Sequence, residues 1–256
     1  MKNVFLGTIA LEKNRWAEGR IPTIKASNYV KRALDSGFEG MELWENHYML
    51  ADGAEKKKLC DSGAVRIFNS YLSLKEGLTD NLKSVAEAVR ALGADFIKYN
   101  YSLRDFDSEP GYTRKDYEEQ TDTLLRFAEL LPANVKLLCE CHANTLMEKP
   151  EIAGEVFKHL DERFGAIIHL SAERALAEGC FRCYGERICH IHTAYRSKEK
   201  RFELLESADA LLRGNMQYFK KCGFCGSATV EFTKEDGGAE AAYENALKDM
   251  RYIKSL

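Results

Sequence analysis

Glu140 and His142, His169, His190 and His192, and Glu231 each stand near the C-terminal end of an apolar, strand-like run in the second half of the chain. A strand buried on both faces should read as an unbroken apolar run, because an unpaired charge in a low-dielectric interior costs several kcal/mol or more. Something must therefore compensate these residues. Strand side chains alternate faces, so Glu140 shares a face with His142, and His190 with His192. If the four ends converge, they supply two carboxylates and several imidazoles, the ligand set of a divalent metal.

Convergence depends on the elements that carry these residues. Eight candidate strands, at 4–11, 40–44, 64–72, 96–102, 135–142, 164–171, 187–194 and 227–233, alternate with helical patterns. The stretch 23–36 places Ile24, Tyr29, Val30, Ala33 and Leu34 on one stripe before Gly37. Further helices are expected at 80–92 before Gly93, 113–131 before Pro132, 150–163 opening on proline, and 203–222 before Gly223. Strict alternation requires parallel strands, and eight units in a chain of this length predict a closed (β/α)8 TIM barrel, one domain over residues 1–256. Active sites of such barrels lie at the C-terminal strand ends, where the ionisable residues sit. Alternation directs Leu137, Cys139, Ile191, Val230 and Phe232 toward the helices, and Glu140, His142, His190, His192 and Glu231 toward the axis. It also turns Glu42, Trp44, Lys98 and Asn100 inward. The competing reading is a satisfied internal polar network.

Composition narrows the class. A hydrophobic content of 45% supports a substantial core, and 37 Lys+Arg against 40 Asp+Glu leave a net charge of −3 with no long block of one sign. Neither a nucleic-acid nor a membrane partner is expected. No run approaches roughly 18 apolar residues and the N-terminal run lacks a signal-peptide pattern, so a cytoplasmic location is expected. A homo-oligomer is compatible with these features. Two C-x-x-C pairs, Cys180/Cys183 and Cys222/Cys225, have the spacing of a thiolate zinc site, but lie further apart than the roughly 15–20 residues of a zinc ribbon. The alternative is reduced thiols used as small hydrophobes, which suits Cys139, Cys141 and Cys189 on the face opposite the ionisable residues.

The segments Gly37-Phe-Glu-Gly-Met-Glu42-Leu-Trp44, Leu137-Leu-Cys-Glu140-Cys-His142, Ile188-Cys-His190-Ile-His192 and Thr229-Val-Glu231-Phe-Thr resemble strands two, five, seven and eight of the xylose-isomerase-like TIM barrels. That superfamily includes sugar phosphate isomerases and epimerases, inosose dehydratases and isomerases, ketose 3-epimerases and endonuclease IV. The resemblance implies metal ligands at Glu140, His192 and Glu231, with His169 where the family usually has aspartate. Imidazole in place of carboxylate moves the expected ion toward Mn²⁺, Zn²⁺ or Co²⁺ and away from Mg²⁺.

By the same resemblance the activity is isomerisation or epimerisation of a small sugar, sugar phosphate or cyclitol ketone, with Glu140 and Glu231 as general base and acid. Glu42, Trp44, Lys98, Asn100, His142, His190 and Arg196 are the candidate substrate contacts, Lys98 and Arg196 for a phosphate or hydroxyl groups. Glu42, His142 and His190 have a second reading as hydrogen-bond supports for the ligands, Trp44 as barrel packing, and Arg196 as a solvated loop charge. The loops 100–111 and 193–201 are expected to set the substrate, while His47 and His159 are expected to be solvated. Endonuclease activity would call for a basic surface, which the charge balance does not provide. A barrel without catalysis, binding a carbohydrate or serving as a subunit, is the reading from another class.

Overall fold

Each of the eight apolar runs forms a strand, and each strand is shorter than its run. The computed structural model describes residues 1, 3–101, 114–142, 145–235 and 237–256. Its strands are β1 (Val4–Gly7), β2 (Met41–Trp44), β3 (Val65–Asn69), β4 (Phe96–Tyr99), β5 (Lys136–Glu140), β6 (Phe164–His169), β7 (Ile188–Thr193) and β8 (Ser227–Val230). All pair in parallel and close into a barrel in the order β1-β8-β7-β6-β5-β4-β3-β2. Ser102, Thr113 and most of the 100–111 loop lie outside the described residues. Shortening is greatest at β1, whose backbone tightens into a 3-10 turn at Thr8–Leu11, and at β3, which ends at Asn69; β8 ends at Val230, just before Glu231.

The outer layer consists of α1 (Ser27–Asp35), α2 (Asn46–Met49), α3 (Gly53–Ser62), α4 (Asp80–Leu92), α5 (Arg114–Ala128), α6 (Pro150–Phe157), α7 (Arg174–Tyr184), α8 (Asp209–Lys221) and α9 (Gly238–Ser255). Helix α4 has the ends its sequence calls for: the Thr79 hydroxyl accepts from Leu82 N at 3.3 Å, and Gly93 closes it at φ 63°. Helix α1 begins later than the apolar stripe suggested. Thr23 N and Ile24 N donate instead to the Glu12 carboxylate at 2.8 and 3.0 Å, and Ser27 N donates to Glu55 at 2.9 Å. Leu34, assigned to the buried stripe, is 42% exposed. The start expected at 203 is also corrected, because Phe202–Glu203 pairs with Tyr195–Arg196 in a small antiparallel ribbon before α8. No helix among the described residues is long and apolar enough to cross a membrane.

Most of the apolar core fills the space between strands and helices, with Cys139 and Cys180 within it. The barrel interior is polar by contrast: Glu42, Asn69, Lys98, His190, His192 and Thr229 are all buried. Two local features aim these side chains. A register shift at Ala166/Ile167 brings His169 of β6 opposite His192 of β7. At the seam, Gly7 allows β1 to approach β8, because a Cβ there would stand 2.6 Å from Val230 O.

Candidate metal centre

Four side chains from the C-terminal ends of β5, β6, β7 and just past β8 meet at the mouth of the barrel. Glu140, His169, His192 and Glu231 each place one ligand atom within 4.8 Å of the others. Glu140 Oε1 is approached by His169 Nε2 and His192 Nδ1, both at 3.0 Å. His192 Nδ1 also lies 3.4 Å from Glu231 Oε2. That oxygen is buried and has no hydrogen-bond partner, although buried carboxylate oxygens are ordinarily paired.

Beneath this group the polar contacts are more complete. Both Glu42 oxygens lie near His192 Nε2, at 3.1 and 3.2 Å, and Glu42 Oε1 accepts from Asn69 Nδ2 at 2.6 Å. His190 contacts the hydroxyls of Ser227 and Thr229 at 2.7 and 2.9 Å, with Glu42 Oε2 at 3.6 Å. On the β4 side, Lys98 Nζ pairs with Glu140 Oε2 at 3.0 Å, although the approach lacks hydrogen-bond geometry. Asn100 Nδ2 reaches the same oxygen at 3.3 Å and Glu140 O at 3.2 Å.

These contacts fix the charge states. Burial pushes the Glu140 carboxyl up, but Lys98, His169 and His192 outweigh it and hold it well below the usual range. Burial likewise raises Glu42, and the charges and hydrogen bonds of His192 and His190 bring it down. His192 moves the other way. Desolvation lowers it, yet Glu231, Glu42 and Glu140 raise it well above its ordinary value. An ionised Glu42 accepts a hydrogen bond from Nε2–H, so Nδ1 faces the two other carboxylates from a position that requires positive charge. A divalent cation meets that requirement with two imidazole nitrogens and two carboxylates, a donor set suited to Mn²⁺, Co²⁺ or Zn²⁺. The residues therefore fit a metal. Cysteines play no part: all eight are free, and among the described residues neither ligand-forming group contains one.

Over the centre opens a cleft of about 600 Å³ whose walls include Trp16, Arg20, Tyr71, Lys75, Asn100 and His142, with Glu140, His169 and Glu231 at its base. A larger groove of about 870 Å³ lies outside the barrel between α5 and α6, away from the His/Glu groups. Of these two spaces, the smaller opens on the ligand-forming group.

Of the residues read as substrate contacts, Asn100 and His142 line the cleft. Glu42, His190 and Lys98 are sealed below it, each no more than 1% exposed. Trp44 is fully buried, packed with Ile9, Ala194 and Phe232. Arg196 is exposed and folds onto its own ribbon, donating to Lys200 O at 2.8 Å. Two expectations are corrected. Phe232 does not face the helices: alternation ends with β8, and the ring stacks on Phe202 at 4.7 Å beside the cleft. His47 is buried rather than solvated, because Thr8 and Glu12 bond its two nitrogens, each at 2.9 Å; His159 is exposed as expected. Arg20 and Tyr71 also line the cleft: Arg20 lies in a loop, where a lone arginine gives no signal, whereas Tyr71 fell within the expected strand 64–72 and reaches the cleft because that strand ends at Asn69.

No protein-family model matches the chain, and no curated protein does. Among solved structures, the chain is similar to the IOLI protein with a bound zinc atom, at 15% identity and a TM-score of 0.72 over 100% of this chain and 98% of that one. It is similar to a D-allulose 3-epimerase from Methylomonas sp. in complex with D-allulose, at 13% identity and a TM-score of 0.72, covering 99% and 96%. It also resembles the probable 3-DHS dehydratase AsbF from Bacillus anthracis, at 16% identity and a TM-score of 0.68, covering 99% of each chain. Likeness at these identities establishes the fold.

Proposed function

We propose that this closed (β/α)8 barrel, which shares the fold of xylose isomerase-like TIM barrels, is a divalent-metal-dependent isomerase or epimerase that moves a proton at the carbon alpha to the carbonyl of a small sugar, sugar phosphate or cyclitol ketone. The observation that carries this reading is the approach of two carboxylates, Glu140 from β5 and Glu231 from beyond β8, to one imidazole nitrogen of His192 at 3.0 and 3.4 Å. Similarity to a zinc-bound protein and to an epimerase holding D-allulose supports it.

Glu140, His169, His192 and Glu231 would hold the ion. When bound, it supplies a Lewis acid that stabilises the negative charge developing beside the carbonyl. The remaining work belongs to the side chains. Glu231, with a buried oxygen free of hydrogen bonds, takes the proton from the alpha carbon. Glu140 stands on the other side of His192, its second oxygen fixed by Lys98 and Asn100, and exchanges a proton from that side of the substrate. Glu42 keeps His192 in one orientation. Phe232, buried and stacked on Phe202, gives the cleft an apolar wall.

Solvent-deuterium incorporation tests the reading. With manganese-loaded protein and a panel of small ketoses, deuterium should appear at the carbon next to the carbonyl. No exchange with any ketose, in protein that binds manganese stoichiometrically, would remove the isomerase reading and leave the barrel as a binding protein.

A further inference from the structure

Arg20 is a cation in the cleft wall that no carboxylate among the described residues neutralises. Its backbone stands in the left-handed region at φ 47°, an uncommon place for a residue with a side chain and one that often marks a functional loop. The surroundings fix it there. Arg20 Nε donates to Arg15 O at 3.0 Å, Arg20 O accepts from Asn46 Nδ2 at 2.8 Å, and the guanidinium carbon lies 4.1 Å from the Tyr71 ring centroid and 5.1 Å from that of Trp44. Yet Arg20 Nη2 is buried without a hydrogen-bond partner, and no described acidic side chain pairs with the group. Lys75, the other cation of the same wall, likewise has no described acidic partner.

Charge in the cleft is thus divided. The ends of β5 to β8 carry the carboxylates and imidazoles, whereas the loops after β1 and β3 present two cations, Arg20 and Lys75, that no described carboxylate pairs. Tyr71 joins the halves, with Arg20 at 4.1 Å and Lys98, the partner of Glu140, at 4.2 Å from its ring. A neutral ketose would use only the first half. An orphaned guanidinium fixed by stacking is organised for a group with several acceptor oxygens.

Resting on the isomerase reading of the metal centre, we propose that the substrate is a small ketose bearing an anionic group, phosphate or carboxylate, which Arg20 binds with Lys75 while the ketone end faces Glu140 and Glu231. Isothermal titration of the manganese-loaded protein with D-ribulose, D-ribulose 5-phosphate and 2-keto-D-gluconate tests this without turnover. At least one anionic probe should bind about tenfold or more tightly than D-ribulose, and which one does so separates phosphate from carboxylate. Arg20→Met should erase that preference by weakening the anionic probe about tenfold more than it weakens D-ribulose, Arg20→Lys should retain part of it, and Lys75→Met should reduce it in a protein whose Arg20 anchor is intact. Equal affinities for all three probes, binding of none, or a full preference in a folded Arg20→Met variant would overturn the proposal. An Arg20-dependent preference without deuterium exchange in any ketose keeps the anion site and rejects the isomerase; exchange that ignores both charge and Arg20 does the reverse.

Discussion

Two His–carboxylate clusters lie at the same rim of the barrel, and they differ in how completely their polar atoms are paired. Around Glu12 every acceptor is occupied: the carboxylate takes Thr23 N, Thr23 Oγ1, Ile24 N and His47 Nε2 at 2.8 to 3.0 Å, and His47 Nδ1 closes onto Thr8, which also accepts from Trp44 N at 2.9 Å. At Glu140 two imidazoles crowd one oxygen while Glu231 Oε2 has no partner. A network closed on itself holds a loop in place. One that leaves a buried oxygen unpaired and a position demanding positive charge is organised for something that is not protein.

The comparison breaks most visibly at His192. His192→Ala should reduce bound manganese or zinc to a small fraction of wild type by elemental analysis, and exchange should fall with it; full metal content would mean that other ligands hold the ion. Glu231→Gln keeps shape and an oxygen donor but removes the base, so deuterium incorporation should drop by roughly 10²-fold or more. Exchange at the wild-type rate would leave Glu231 without the role assigned to it.

His47→Ala should do the opposite of His192→Ala. It leaves Glu12 and Thr8 buried with one partner fewer, at a cost of about 1–3 kcal/mol by denaturant titration, while metal content stays at the wild-type level. Loss of metal in that variant would erase the distinction between the clusters.

Asp249 sharpens the distinction by pH. Burial outweighs its bonds to Thr233 and Leu205 and lifts the carboxyl from 3.8 to about 6. The folded protein therefore holds this proton more tightly than the unfolded chain. Its stabilisation is complete below the unfolded value and is lost as pH rises through the folded one. Between about pH 4 and 6, Asp249→Asn should remove roughly 1 kcal/mol per pH unit from the slope of stability against pH, without changing metal content. An unaltered slope would show that Asp249 does not carry this proton.

Much of this was legible in the sequence because two periodicities carry it. Alternation placed Glu140, His192 and Glu231 on one face, and strand–helix order placed their strands around one barrel. Alternation reports the face of a strand but not depth along the barrel axis, which is why Glu42, Trp44, Lys98 and His190 read as cleft residues although they are buried. Helical spacing gave α4 its full extent and failed at α1, where Glu12 and Glu55 capture the backbone that would have extended the helix. The path of Arg20 onto Tyr71, and of Arg196 onto its own ribbon, depends on loops that no periodicity describes.

The seam between β1 and β8 sets the order in which the molecule can be completed. Val4 pairs with Ala228 and Leu6 with Val230 across nearly the whole chain, contacts that form late because loop closure must precede them. Glu231 N is anchored to Thr193 O at 3.1 Å directly beyond that seam, so the fourth donor arrives only when the last strand docks. A cation that needs all four donors would bind the closed barrel and not its precursors, acting as a latch that slows reopening at the seam.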